Sequence, residues 1–111
     1  MNVKRFLQIL IISCLLPGPT LADGDFDLTL LEAQQGNAEA QSDLGVMYAK
    51  GVGTKQDNVS AFIWMSAAKA NGDHAAARNL QSLRKQMSLQ ELVNGQAKAA
   101  KCIGSHYQHC K

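Results

Sequence analysis

Apolar residues fall into two regimes along this chain. Residues 6–16, "FLQILIISCLL", form one short run broken only by Gln8 and Ser13. From Phe26 onward they recur every three or four positions, the spacing that lines one face of a helix. That spacing predicts five helices. "FDLTLLEAQQ" is closed by Gly36, a residue free to take the left-handed conformation that ends a helix. "AEAQSDLGVMYA" carries Ala40, Leu44, Met47 and Tyr48 at helical spacing. "NVSAFIWMSAAKAN" has Asp57 or Asn58 as its cap and Gly72 as its stop. "HAAARNLQSLRKQM" is the fourth. The fifth opens at "SLQE", where Ser88 and Glu91 have capping-box spacing, and runs through "LVNGQAKAAKC". Gly95 lies inside it, at a cost of about 1 kcal/mol relative to alanine.

Shifting the chain by 36 residues superposes Phe26 on Phe62, Gly36 on Gly72, Ala40 on Ala76 and Leu44 on Leu80. Asn37 falls on Asp73, and Asp43 on Asn79. A period of this size is typical of stacked helical hairpins. The glycines fit the same reading. Gly45 sits inside a helix, where it costs stability unless another backbone must come close, and Ala61, Ala67, Ala68 and Ala70 make the next helix equally slim. Gly51 and Gly53 let the chain reverse, while Tyr48, Phe62 and Trp64 supply bulk where the pair widens. The expected fold is all-α, a short α-solenoid of antiparallel helical hairpins with about five helices.

The first 22 residues follow another logic: a basic start "MNVKR", the short apolar run, then "PGPTLA" with small side chains at Thr20 and Ala22. This is the order of a secretory signal cut before Asp23, and the run is too short to span a bilayer. A rival cut exists, because "IISC" resembles a lipobox that would leave Cys14 as a lipid-bearing N-terminus. Removing residues 1–22 takes Lys4 and Arg5, so nine basic residues face nine acidic ones. They divide unevenly: residues 23–57 hold seven acids and two bases, and residues 58–111 hold seven bases and two acids. Such a dipolar chain can self-associate head to tail or present one end to a charged partner. Zero net charge, with no aromatics interleaved among the bases, argues against nucleic acid.

With Cys14 removed, Cys102 and Cys110 remain, and an exported chain should pair them. Closing so short a loop stabilises by about 2–3 kcal/mol in the chain-entropy model. A competing reading takes Cys102, His106, His109 and Cys110 of "CIGSHYQHC" as zinc or copper ligands. Adjacent His109 and Cys110 fit a closed tetrahedral site poorly, and an oxidised pair offers no thiolates, so no metal or other cofactor is expected. Nor is the pair a C-x-x-C redox motif. No G-x-S-x-G, H-E-x-x-H or phosphate-cradling loop occurs, and nothing in the spacing of Ser66, Asp73 and His74 makes a triad. An enzyme is not expected.

The stretch "AEAQSDLGVMYAKGVGTKQDNVSAFIWMSAAKANGDHAAARNL" resembles the Sel-one-like repeat, a relative of the tetratricopeptide repeat. The resemblance rests on Ala40, Gln41, Leu44, Gly45, Tyr48, Gly51, Gly53, Asp57, Ala61, Trp64, Ala67, Ala68 and Gly72. A second unit begins at "AAARNL" but departs from the pattern, with Gln81 in place of glycine and Arg84 in place of tyrosine. The implied organisation is a signal at 1–22, one helix of an incomplete repeat at 23–37, and a complete unit at 38–73. A degenerate first helix at 74–87 and a capping helix with a disulfide-closed tail at 88–111 complete it. The cysteine spacing loosely resembles that of the cysteine-rich members.

What the resemblance implies is an interaction module of the bacterial envelope, periplasmic and without a membrane span after cleavage, or lipid-anchored if Cys14 is retained. It would bind a protein or peptide on the concave face formed by the first helix of each unit. Asp43, Val46, Met47, Lys50, Asn79 and Leu83 are the expected partner residues. Against that stands a plainer reading, in which Met47 and Leu83 are core and Asp43 and Asn79 only fix the stacking. Some cysteine-rich relatives are linked with penicillin-like compounds, which keeps a cell-wall ligand as the alternative function.

Overall fold

The computed structural model describes residues 21–111, with side chains from Asp25 on. The expected signal up to residue 20, with Cys14, lies outside the described residues. The rest is all-α: α1 (Leu21–Gln34), α2 (Ala38–Lys50), α3 (Asn58–Ala70), α4 (His74–Arg84) and α5 (Leu89–Gly104). Helix α1 starts ahead of Phe26 and runs through the bond before Asp23.

Each later helix starts on a side-chain cap that satisfies otherwise unpaired backbone N–H groups, worth about 1 kcal/mol apiece. Asn37 accepts from the Ala40 N–H at 3.0 Å and Asp73, 36 residues on, from the Ala76 N–H at 3.1 Å. Asp57, not Asn58, caps α3, taking the N–H groups of Val59 and Ser60 and the Ser60 hydroxyl. Burial pushes the Asp57 carboxyl up, but these hydrogen bonds and the charge of Lys98 outweigh it and hold the group below its ordinary value. Ser88 and Glu91 form the reciprocal capping box of α5.

The helix ends repeat as well. The Asn37 N–H reaches back to the Glu32 carbonyl and the Asp73 N–H to the Ala68 carbonyl, around Gly36 at φ 92° and Gly72 at φ 95°. The Asn71 amide then donates to the Gly36 carbonyl at 2.7 Å, tying the two closures together. Two helix ends differ from expectation. Helix α4 ends at Arg84 and not at Met87, and the chain turns there so that Met87 enters the core. Helix α5, expected to run through Cys102, continues to Gly104. His106 at φ 54° and Tyr107 at φ 66° make the turn.

Helix α3 is the centre of the molecule and packs against α2, α4 and α5. Ala61, Phe62, Ile63, Trp64 and Met65 are all buried, so a full turn of the helix is apolar on every side, as expected of a helix enclosed by others. On one side Leu44, Ile63, Trp64, Ala67 and the two half-cystines form a cluster. On the other, Phe62 and Met65 pack with Leu80, Leu83, Met87 and Ala99. Fully buried Gln41 donates to the Ala33 carbonyl at 3.0 Å, joining α2 to α1.

A Cβ placed on Gly45 would lie 2.5 Å from Met65 Cγ and 3.2 Å from the Ala61 carbonyl oxygen. Gly104 has no atom within 4 Å of the corresponding point. Gly45→Val should therefore lower stability by about 1–3 kcal/mol through overpacking. Gly104→Ala should be neutral or stabilising by up to about 1 kcal/mol. Urea denaturation followed by circular dichroism would compare them. Equal midpoints would mean that α2 and α3 do not meet at Gly45.

Candidate functional site

Two of the concave regions beside α3 are built differently. The first is a groove of about 310 Å³ between α2 and α4. Val46, Ala49 and Lys50 form one wall, Asn79 and Leu83 the other, and buried Met65 lies at the base. The walls run side by side because α2 and α4 are each the first helix after a Gly36-type or Gly72-type closure and both lean on α3. Val46 and Asn79 are half-buried and Lys50 is exposed at the end of α2. The groove thus offers apolar surface at its base, an amide on one wall and an ammonium at the rim.

Four of the six expected partner residues, Val46, Lys50, Asn79 and Leu83, line this groove. Leu83 is also core, with 4 % of its surface exposed. Met47 does not line it. Its side chain is 9 % exposed, so it is packed inside the protein and not offered to a partner. Asp43 lies elsewhere, on a shallow polar depression with Thr29, Glu32, Asn37 and Glu39. Partial burial, then the nearby carboxylates of Glu39, Asp73 and Asp25, hold the Asp43 carboxyl above its ordinary value.

The second region lies under the C-terminal tail, and sequence patterning gave no sign of it. Cys102 and Cys110, eight residues apart, are joined by a disulfide that pulls the tail back over the body. The Tyr107 N–H caps the Cys102 carbonyl at 2.9 Å, and the Tyr107 ring lies against Gly36. Between tail and body opens a cleft of about 310 Å³, with Leu30, Tyr48, Trp64 and Tyr107 among its walls and Lys101 at its edge. Burial, then the charge of Asp57, push the Tyr48 phenol up, so it stays a hydrogen-bond donor at neutral pH. A four-ligand metal site in the tail would need both thiolates, which the disulfide consumes. No cluster of three or more His, Cys, Asp or Glu suited to a metal occurs among the described residues. Nor is any described helix long and apolar enough to cross a membrane.

Compared with known proteins, the chain matches no protein-family model and no curated protein.

Because its folded-state pKa is raised, ionised Asp43 costs stability at neutral pH, and the cost fades as pH falls through that pKa. Asp43→Asn should accordingly stabilise at pH 7 by up to about 0.5 kcal/mol at low salt, discounted because the group is exposed. The gain should vanish at low pH. Denaturant midpoints measured across pH test this, and a variant less stable at pH 7 would contradict it.

Proposed function

We propose that the protein is an exported interaction module of the bacterial envelope, of the Sel-one-like repeat type, that holds a segment of another protein in the α2–α4 groove. The observation that carries this reading is the meeting of Val46, Lys50, Asn79 and Leu83 in one concavity, from two helices whose sequences repeat at a 36-residue offset. The walls suit one or two apolar side chains, with Asn79 able to bond a peptide unit and Lys50 an acidic or carbonyl group at the rim. The N-terminal signal pattern supports export, and the periplasm is the compartment in which the pair Cys102–Cys110 stays oxidised. A groove this small buries little of a partner, so a single copy binds weakly.

Photocrosslinking in intact envelopes tests the reading. A photoreactive residue belongs at Asn79, in the groove wall, with a control at exposed Gln90. A discrete protein adduct from Asn79 alone is expected. No adduct, or the same smear from both positions, would remove the groove as a partner site.

A further inference from the structure

The cleft under the tail differs from the groove in chemistry. Its inner wall is aromatic: Tyr48 and Tyr107 are half-buried, and Trp64, with 2 % of its surface exposed, also touches the cavity. Two lysines, Lys101 and Lys111, and the His109 ring line its edge, and no acidic side chain does. Glu32, Glu39 and Asp43 share a separate depression, while Asp57, whose charge reaches Tyr48, caps α3 and lines a neighbouring depression with Lys111. At about 310 Å³ the cleft is at the small end of ligand sites, the size of one ring with a short polar arm. An aromatic wall favours a flat apolar body, and an edge lined by two ammonium groups and no acidic side chain favours an anion.

We propose that this cleft is a binding site for a small carboxylate bearing an aromatic ring, such as an N-acylated aromatic amino acid. The ring lies against Tyr48, Trp64 and Tyr107, and the carboxylate meets the Lys101 ammonium. The site exists only in the oxidised chain. Tyr107, His109 and Lys111 reach the cleft because the disulfide returns Cys110 to the body beside Cys102. This site is independent of the groove: the two share no lining residue.

The probe is N-acetylphenylalanine, with its neutral amide as control, titrated into the oxidised chain and followed by NMR. Trp64 is the chain's single tryptophan, so its indole N–H signal reports the cleft unambiguously. Saturable shifts at Trp64 and the tail amides are expected, with the acid binding about tenfold tighter than the amide, the worth of one charge-assisted hydrogen bond. Lys101→Ala should remove that preference, and Tyr107→Ala should weaken both ligands while leaving the disulfide and helix content intact. Reduction should abolish binding; circular dichroism separates loss of the tail from loss of the fold. Absence of saturable shifts, equal binding of acid and amide, or undiminished affinity in Tyr107→Ala would each overturn the assignment. Failure here leaves the groove reading standing, because crosslinking at Asn79 does not depend on the tail.

Discussion

The close approach of helices at glycine, on both sides of α3, is the constraint from which the rest of the structure follows. Gly45 on α2 meets Met65 and the Ala61 backbone, and a Cβ on Gly95 of α5 would stand 2.9 Å from the Phe62 ring. Side chains at either position would drive the helices apart. Phe62 and Met65 would then lose the neighbours that enclose them, and a helix apolar all round would be left partly wet. A chain this short buries a limited core, so it depends on dense contact and not on extent. Gly95 is therefore a packing residue. Its cost in helix propensity, about 1 kcal/mol, is offset by the burial it allows.

The internal repeat is carried by contacts more than by identities. Phe26 meets Tyr48 edge-on with ring centroids 5.4 Å apart. Shifted by 36 residues, the pair becomes Phe62 and Arg84, and the Arg84 guanidinium sits 5.6 Å from the Phe62 centroid. Replacing tyrosine by arginine at this point changes edge-to-face packing into cation–π contact while keeping a ring covered from the same place on the following helix. Asn37 and Asp73 likewise do the same capping with different side chains.

Features that depend on a few neighbouring residues were legible in the sequence. The cap at Ser88, the choice of Asp57 or Asn58 and the closures at Gly36 and Gly72 follow from local hydrogen-bonding chemistry, so the helix order does too, whereas Asn37 and Asp73 showed only as matching repeat positions. The start of α1 was missed because residues 21–25 lack apolar spacing. Four of the six expected partner residues do line the groove, but the repeat did not select them: Asp43 and Met47, the counterparts of Asn79 and Leu83, lie outside it. Met47 could not be sorted from Val46 by periodicity alone, because adjacent positions straddle the edge of a buried face. The tail cleft was invisible for a different reason. It needs two consecutive left-handed residues, His106 and Tyr107, neither of them glycine, and contacts from Tyr107 to Gly36 across most of the described chain.

The two faces of α3 are closed by different means, and that difference explains why each leaves a concavity. On the Phe62 side, α4, α5 and the turn between them supply Leu80, Leu83, Met87 and Ala99, and the opening between α2 and α4 is what remains when one helix of a pair leans on a shared neighbour. On the Trp64 side α1, α2 and α5 supply Ala33, Leu44 and Cys102, and the tail adds Cys110 and Tyr107. The tail, a few residues long, completes that cover, and on its own it has too few contacts to offset the entropy of ordering it. The disulfide reduces that cost by limiting the freedom of the loop before folding, and Tyr107 adds an aromatic contact at Gly36. A tail held at one buried point and one ring covers the core without filling the space beneath it. The cleft is thus the space left where a covalent strap, and not another helix, completes the cover over α1, α2 and α3.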